Sequence, residues 1–371
     1  MIITFLILGV LALITFLFMQ QASFGKAPSG ARLERIKQSP QFSDGAFQNQ
    51  SPTPTFTGGG TFFSVMTDFI FGKHERKTPD FQLPSIRRDL NVEPATKPEI
   101  TWFGHSSYLI RINGLNVLVD PVFSGRTSPV SYAGTKAFDG ADSYKAADMP
   151  HIDILVITHD HYDHLDYETI LKLKDKVGTF VTSLGVGAHL EYWGVPAEKI
   201  KELDWWETAT INNDTKFTAA PARHFSGRGF IRNKTLWSSF IFKTNGYSIY
   251  LGGDSGYEQH FKKIGNEYGP FDLAILEDGQ YNVSWSNIHM MPEETAQAAS
   301  DLKAKVLLPV HWGKFSLATH PWDESISRVL KAAEVLNIKV ITPEIGEQVV
   351  LDSILPASHW WVKKQLLNSQ Q

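Results

Sequence analysis

Residues 158–166 read Thr-His-Asp-His-Tyr-Asp-His-Leu-Asp, directly after the apolar run IDILVI at 152–157. A short, compact run of that kind predicts a buried strand. A strand that ends in His-x-His-x-Asp-His is hard to explain by packing. His159, His161 and His164 crowd together with Asp160 and Asp163 where the strand runs out, and withdrawing such carboxylates from water without partners costs free energy. A metal ion removes that difficulty, because neutral imidazole and carboxylate are ligands that zinc, manganese and iron accept. The chain must then fold so that this strand end opens onto a shared polar site. A solvated, His-rich loop is the plain alternative.

The rest of the chain supplies the setting. Its 371 residues hold one large domain or two small ones. A net charge of −4 gives no reason to expect a nucleic-acid partner. The absence of cysteine excludes disulfides and thiolate-bound metal. Residues 1–18 (MIITFLILGVLALITFLF) are nearly all apolar and about long enough, as a helix, to cross a bilayer core. No Lys or Arg precedes them and no clear small-x-small site stands near 20–23, so an uncleaved anchor over residues 1–19 is favoured over a cleaved signal. Lys26, Arg32, Arg35 and Lys37 follow, and the positive-inside rule then places the bulk of a single-pass chain on the cytoplasmic side.

Residues 20–98 are irregular in pattern. Residues 51–60 (SPTPTFTGGG) have the composition of a flexible linker. Residues 62–71 (FFSVMTDFIF) form an apolar patch expected to pack on the domain, with a membrane surface as the other option. From residue 99 to about 355 strands and helices alternate, and a tail of 356–371 follows. Strands at 107–112 and 115–119 flank Asn113-Gly114, a hairpin signal because both residues tolerate positive φ. The second strand ends in Asp120-Pro121. Asp166 is placed to cap a helix that starts near Tyr167. Strands are expected at 179–182, 216–220, 238–243, 247–251, 271–276, 306–310 and 339–342, and helices at 186–193, 292–302 and 323–336, with Pro292 at a first turn. His224, Asp254 and His311 each stand just past one of these strand ends. Alone, each would pass for an ordinary histidine or turn carboxylate. Strand pairs and helices repeated in two halves fit an α/β (α+β) fold, a four-layer αββα sandwich.

His159-x-His161-x-Asp163-His164 after an apolar strand resembles the signature of the metallo-β-lactamase superfamily, which has that sandwich and a two-metal site at one edge. The resemblance implies a ligand in every slot: His159, His161, His224 and Asp254 for one metal, and Asp163, His164, Asp254 and His311 for the other. It implies two divalent ions, zinc first, with manganese or iron admitted by the same donors. Many lactam-hydrolysing zinc enzymes of this fold use a Cys ligand, and this chain has none. Asp120 matches an Asp behind the metal site. His105, in Gly-His-Ser-Ser, is a candidate to reach the cleft. Two such cations share a water and lower its pKa toward neutrality, which is hydrolysis without a protein nucleophile. Asp163 can hydrogen-bond that water as well as ligate.

Finer resemblances concern the substrate. The segments at 102–107 (WFGHSS), 120–124 (DPVFS), 150–153 (PHID), 222–228 (ARHFSGR) and 289–294 (HMMPEE) look like the N-acyl-phosphatidylethanolamine-hydrolysing phospholipase D branch and its bacterial relatives. That branch implies a phospholipid or small phosphodiester as partner, with His289 in the active site orienting the phosphate or protonating the departing alkoxide. Arg228 or Arg223 is a candidate phosphate ligand, since guanidinium matches phosphate geometry. Trp360-Trp361 beside Lys363-Lys364 hints at an interfacial surface, although most of the ten Trp are expected in the core. A homodimer is common in the resembled enzyme, and nothing in this sequence encodes one. Two readings stand beside the phospholipase: a lactonase like the ascorbate-6-phosphate lactonase relatives, and a non-catalytic, membrane-anchored metal-binding protein.

Overall fold

The computed structural model describes residues 2–362. Its first helix, α1 (Ile2–Met19), buries no residue and has a mean hydropathy of 2.9. It is long and apolar enough to cross a membrane, and its length and position also fit a signal sequence. After it, α2 (Gly30–Lys37) lays Ile36 against Trp205, Leu236 and Trp237. The linker-like stretch 51–60 is held by tertiary hydrogen bonds: Thr57 donates from its backbone N to Ser284 O at 2.7 Å, and Thr53 Oγ1 accepts from Arg223 Nε at 3.1 Å. The apolar patch becomes α3 (Phe62–Phe71), capped by Thr61, whose hydroxyl accepts from Ser64 N. Packing on the domain was the expectation for it, yet no residue of α3 is buried.

The strands of the first half are β1 (Glu99–Trp102), β2 (Tyr108–Ile112), β3 (Leu115–Val119), β4 (Ile152–Ile157), β5 (Val177–Ser183) and β6 (Ile200–Leu203). Those of the second are β7 (Thr208–Asn212), β8 (Thr215–Ala220), β9 (Ser239–Thr244), β10 (Tyr247–Leu251), β11 (Leu273–Glu277), β12 (Val306–Val310), β13 (Lys339–Val340) and β14 (Gln348–Val350). They form two seven-stranded sheets, ordered β6-β5-β4-β3-β2-β1-β14 and β7-β8-β9-β10-β11-β12-β13. Both hairpins turn where the sequence predicts: Asn113 and Gly114 take φ of 50° and 77°, Asn245 and Gly246 φ of 47° and 82°. Past each hairpin the pairing becomes parallel, β3 with β4 and β10 with β11. Parallel strands must be joined by crossovers, which place helices on the outer faces.

Burial follows the two-residue period of a strand. Ile154 and Val156 of β4 enter the core between the sheets, with Phe240 and Ile249 of the second sheet in the same cluster. Leu155 and Ile157 point the other way, toward Ile170 and Leu173 of α4 (Tyr167–Leu173) and Leu190 of α5 (Gly187–Tyr192). The second sheet is covered by α6 (His260–Glu267), α7 (Pro292–Asp301) and α8 (Glu324–Val335) through Ile264, Ala296 and Ile326. Helix, sheet, sheet, helix is the expected αββα order. Trp360 and Trp361 are buried, Trp360 stacked on Trp312 at 5.2 Å, so this pair closes the core and forms no interfacial surface. Lys363 and Lys364 lie outside the described residues. Because Ile154 is fully buried between the sheets, Ile154→Ala should cost about 2–5 kcal/mol, the range for truncating a core aliphatic. Urea unfolding of the metal-saturated protein would measure it.

Candidate metal centre

The site is assembled where β3, β4, β8, β10 and β12 stop. Asp120 follows β3 in a left-handed backbone conformation, φ 40°, which turns its carboxylate toward the end of β4. There Oδ1 accepts from Thr158 N at 2.9 Å, and Oδ2 accepts from Thr158 Oγ1 at 2.6 Å and His164 Nδ1 at 2.8 Å. Since the Thr158 hydroxyl proton goes to Asp120, its oxygen accepts from His159 Nδ1 at 3.0 Å. One buried carboxylate therefore orients two imidazoles and leaves Nε2 of each free to face the cleft. His224 is oriented in the same way, its Nδ1–H donating to Ile288 O at 2.8 Å. Partners of this kind on the far ring nitrogen fix the tautomer of metal-ligating histidines. His161 faces the others with Nδ1, 2.9 Å from His159 Nε2 and 3.2 Å from His224 Nε2.

Donor atoms of His159, His161, His224 and Asp254 lie within 4.8 Å of one another, and so do those of His105, Asp163, His164 and His311. Asp254 stands between the groups. Its Oδ2 is 3.9 Å from His159 Nε2 and 3.8 Å from His224 Nε2, and its Oδ1 is 3.2 Å from both His164 Nε2 and His311 Nδ1. His105 donates from Nε2 to Asp163 Oδ2 at 2.9 Å, and its ring lies 4.1 Å from that of His311. The donor set fits divalent cations. Buried His164 Nε2 and Asp254 Oδ1 lack a hydrogen-bond partner. Burial works against a charged His164, but Asp254, Asp163 and Asp120 outweigh it and hold this imidazole well above its usual range. That concentration of negative charge is what a bound cation would take over.

Beside the ligands, His289 Nδ1 lies 2.6 Å from Glu277 Oε2, and Glu277 Oε1 accepts from Ser255 N and Met290 N. Burial raises the Glu277 carboxyl; burial alone would lower His289, but the facing Glu277 reverses that and holds the imidazole protonated above its ordinary range. Glu277 is absent from the sequence expectations. Its signal was available, since it ends the buried strand β11 as Asp120 follows β3.

His161, Asp163, His224, Asp254, His289 and His311 face a cleft of about 400 Å³. The same cleft is lined by the apolar side chains Phe62, Val65, Met66 and Phe69 of α3, and by Arg232. Arg228, expected as a phosphate ligand, is elsewhere. It is buried, and its guanidinium donates to the carbonyls of Ser23, Asp160 and Leu165. Four of its five N–H groups are taken by these carbonyls, and it does not line the cleft. Arg223 likewise donates to Thr53 Oγ1 and Pro52 O.

A strand-edge cluster of this composition on an αββα sandwich defines a metal-dependent hydrolase. The profile of the β-lactamase superfamily domain matches residues 115–312, and the chain belongs to the metallo-β-lactamase superfamily. It is 41% identical over 329 residues to the uncharacterized protein Rv0906 of Mycobacterium tuberculosis, covering 88% of each chain. It is 31% identical over 265 residues to N-acyl-phosphatidylethanolamine-hydrolyzing phospholipase D 1 of Caenorhabditis elegans, covering 67% of this chain and 74% of that one. Among solved structures, the metallo hydrolase Igni18 of Ignicoccus hospitalis superposes with a TM-score of 0.52 at 21% identity, over 70% of this chain and 100% of that one.

Proposed function

We propose that the chain is a two-metal phosphodiesterase of phospholipase D type that hydrolyses N-acyl-phosphatidylethanolamine or a closely related phospholipid. One observation carries this reading. The cleft is lined both by the polar ligands and by apolar α3 side chains, matching a phosphate head joined to acyl tails. The Caenorhabditis elegans relative supports it. A small sugar-phosphate lactone would leave Phe62, Met66 and Phe69 without a partner, so the lactonase reading is less well served.

The first metal would be held by His159, His161, His224 and Asp254, the second by Asp163, His164, Asp254 and His311. When bound, such ions supply an activated water and charge that offsets the phosphoryl oxygens. The chain's own residues do the rest. Water adds to phosphorus as hydroxide, its other proton passing to solvent, and the bond from phosphorus to the acylethanolamine oxygen breaks. His289, held by Glu277, gives that oxygen its proton. Arg232, which lies 4.7 Å over the Phe225 ring at the cleft wall, replaces Arg228 as the guanidinium available to a phosphate oxygen. The apolar face of α3 receives acyl chain, and α1 keeps the chain on the membrane that contains the substrate.

Full-length protein in detergent micelles, loaded with zinc or manganese, should release phosphatidic acid and N-acylethanolamine. No release by metal-loaded protein would sink the lipid reading. Met66→Asp and Phe69→Asp should raise KM for long-chain substrate about tenfold or more each, because burying acyl carbons is worth ~0.8 kcal/mol per methylene, and should leave kcat nearly unchanged. Equal KM values for wild type and both variants would remove α3 from the substrate path.

A further inference from the structure

The segment that follows α1 is fastened to the loop that carries the ligands. Ala22 O accepts from Trp193 Nε1 at 2.7 Å. Ser23 O accepts twice from Arg228, from Nη2 at 2.7 Å and Nε at 3.2 Å. Lys26 N donates to His189 Nδ1 at 2.9 Å, and the Phe24 ring meets Tyr162 edge-on at 6.3 Å. The same two side chains hold the ligand loop from the other side. Arg228 Nη1 donates to Asp160 O at 2.8 Å and Leu165 O at 2.7 Å. Because His189 Nδ1 is an acceptor, its Nε2 carries the proton and donates to Asp160 Oδ2 at 3.2 Å. Tyr162 closes the ring of contacts by donating to Arg228 O at 2.6 Å.

Asp160 lies between His159 and His161, and Leu165 follows His164. The two carbonyls held by Arg228 therefore bracket His161, Asp163 and His164. Arg228 and His189 are both about 95% buried, at 5% exposure each, and the guanidinium is flanked by the rings of Tyr162 at 4.1 Å and Trp193 at 5.2 Å. A buried guanidinium needs acceptors for its N–H groups. Without Ser23 O, Nε and Nη2 would be left unsatisfied, and the fork would shift to find other acceptors. The carbonyls at 160 and 165 would shift with it.

We propose that residues 22–26 are a positioning part of the metal centre: through Arg228 and His189 they set the loop that presents His161, Asp163 and His164, and they tie those ligands to the end of α1. Ser23 is four residues from Met19, so the tie spans at most about 14 Å of chain at 3.3–3.6 Å per residue. The inference rests on the metal-site reading and is independent of the substrate.

The test uses full-length protein in micelles and reads metal per chain by elemental analysis against a competing chelator. Three variants are compared with it: deletion of residues 1–20, deletion of residues 1–27, and Arg228→Lys, whose single ammonium cannot span three carbonyls. Deletion of 1–20 should bind metal as wild type does. Deletion of 1–27 and Arg228→Lys should each need about 10–100-fold more free metal for half occupancy, the usual cost of losing a partner behind the ligands. Limited proteolysis should also cut the loop at 160–165 faster in both. Wild-type affinity in either variant overturns the proposal, and if the longer deletion does not fold, Arg228→Lys decides alone. A folded wild type that binds no metal would instead remove the metal-site reading, and this inference with it.

Discussion

Asp254→Ala should reduce turnover of the proposed substrate, N-acyl-phosphatidylethanolamine, by at least about 10²-fold, more than loss of a supporting partner behind a ligand costs, and should lower metal content in both ligand groups together. The reason is its position. Oδ2 faces His159 and His224, whereas Oδ1 faces His164 and His311. Among the described residues no other carboxylate lies within 4.0 Å of imidazoles of both groups: Asp163 is 3.6 Å from His164 Nε2 and is bonded to His105. Burial opposes the charged form of Asp254, but the imidazoles of His164 and His311 outweigh it and hold its carboxyl well below the usual range, so it is an anion at any working pH. Metal analysis and kcat on the same preparations would check this. A variant that lost activity but kept two equivalents of metal would show that Asp254 does not bridge.

The two halves of the fold were legible because they are written locally. Asn-Gly between two apolar runs specifies a hairpin from four neighbouring residues, and a carboxylate stands just past each hairpin's second strand, Asp120 behind the ligands and Asp254 in the cleft. His159 to His164 are covalent neighbours, so their convergence needed no knowledge of tertiary structure. The misplaced residues depend on partners far along the chain. Arg228 looks the same in sequence whether it faces solvent or is buried, and the carbonyl that satisfies two of its donors belongs to Ser23, 205 residues earlier. Trp360 beside charged residues reads as interfacial until Trp312 is found stacked on it. The patch that became α3 has enough apolar residues to be buried, but whether it is depends on what stands opposite. Here α3 lines the cleft through Phe62, Val65, Met66 and Phe69, and Phe63 and Phe71 are left 80% and 78% exposed. Glu277 ends a strand that reads as core, and the 2.6 Å contact to His289 is what gives it a role.

That contact supports the other large effect. Glu277→Gln and His289→Asn should each lower kcat by about 10²–10⁴-fold, the span of a lost general acid, with KM changed much less. His289 lies among the ligands, its ring 5.1 Å from that of His224 and 5.3 Å from that of His311, placed to give a proton to the leaving oxygen of the proposed phosphodiester. Glu277 is buried and does not line the cleft, so it acts through that ring: it holds a proton on Nδ1, leaves Nε2 to the cleft, and stabilises the protonated imidazole. If the two residues work as one unit, the double variant should be little slower than the worse single one, since a residue that acts only through another contributes nothing once its partner is gone. Glu277 also accepts from Ser255 N and Met290 N, so part of its effect could arise from displacing Asp254, the neighbour of Ser255. Metal content separates the two routes. A Glu277→Gln protein with normal metal occupancy and a depressed kcat acts through His289, whereas one depleted of metal acts through Asp254. Additive losses in the double variant, with metal retained throughout, would mean that His289 does its work without Glu277.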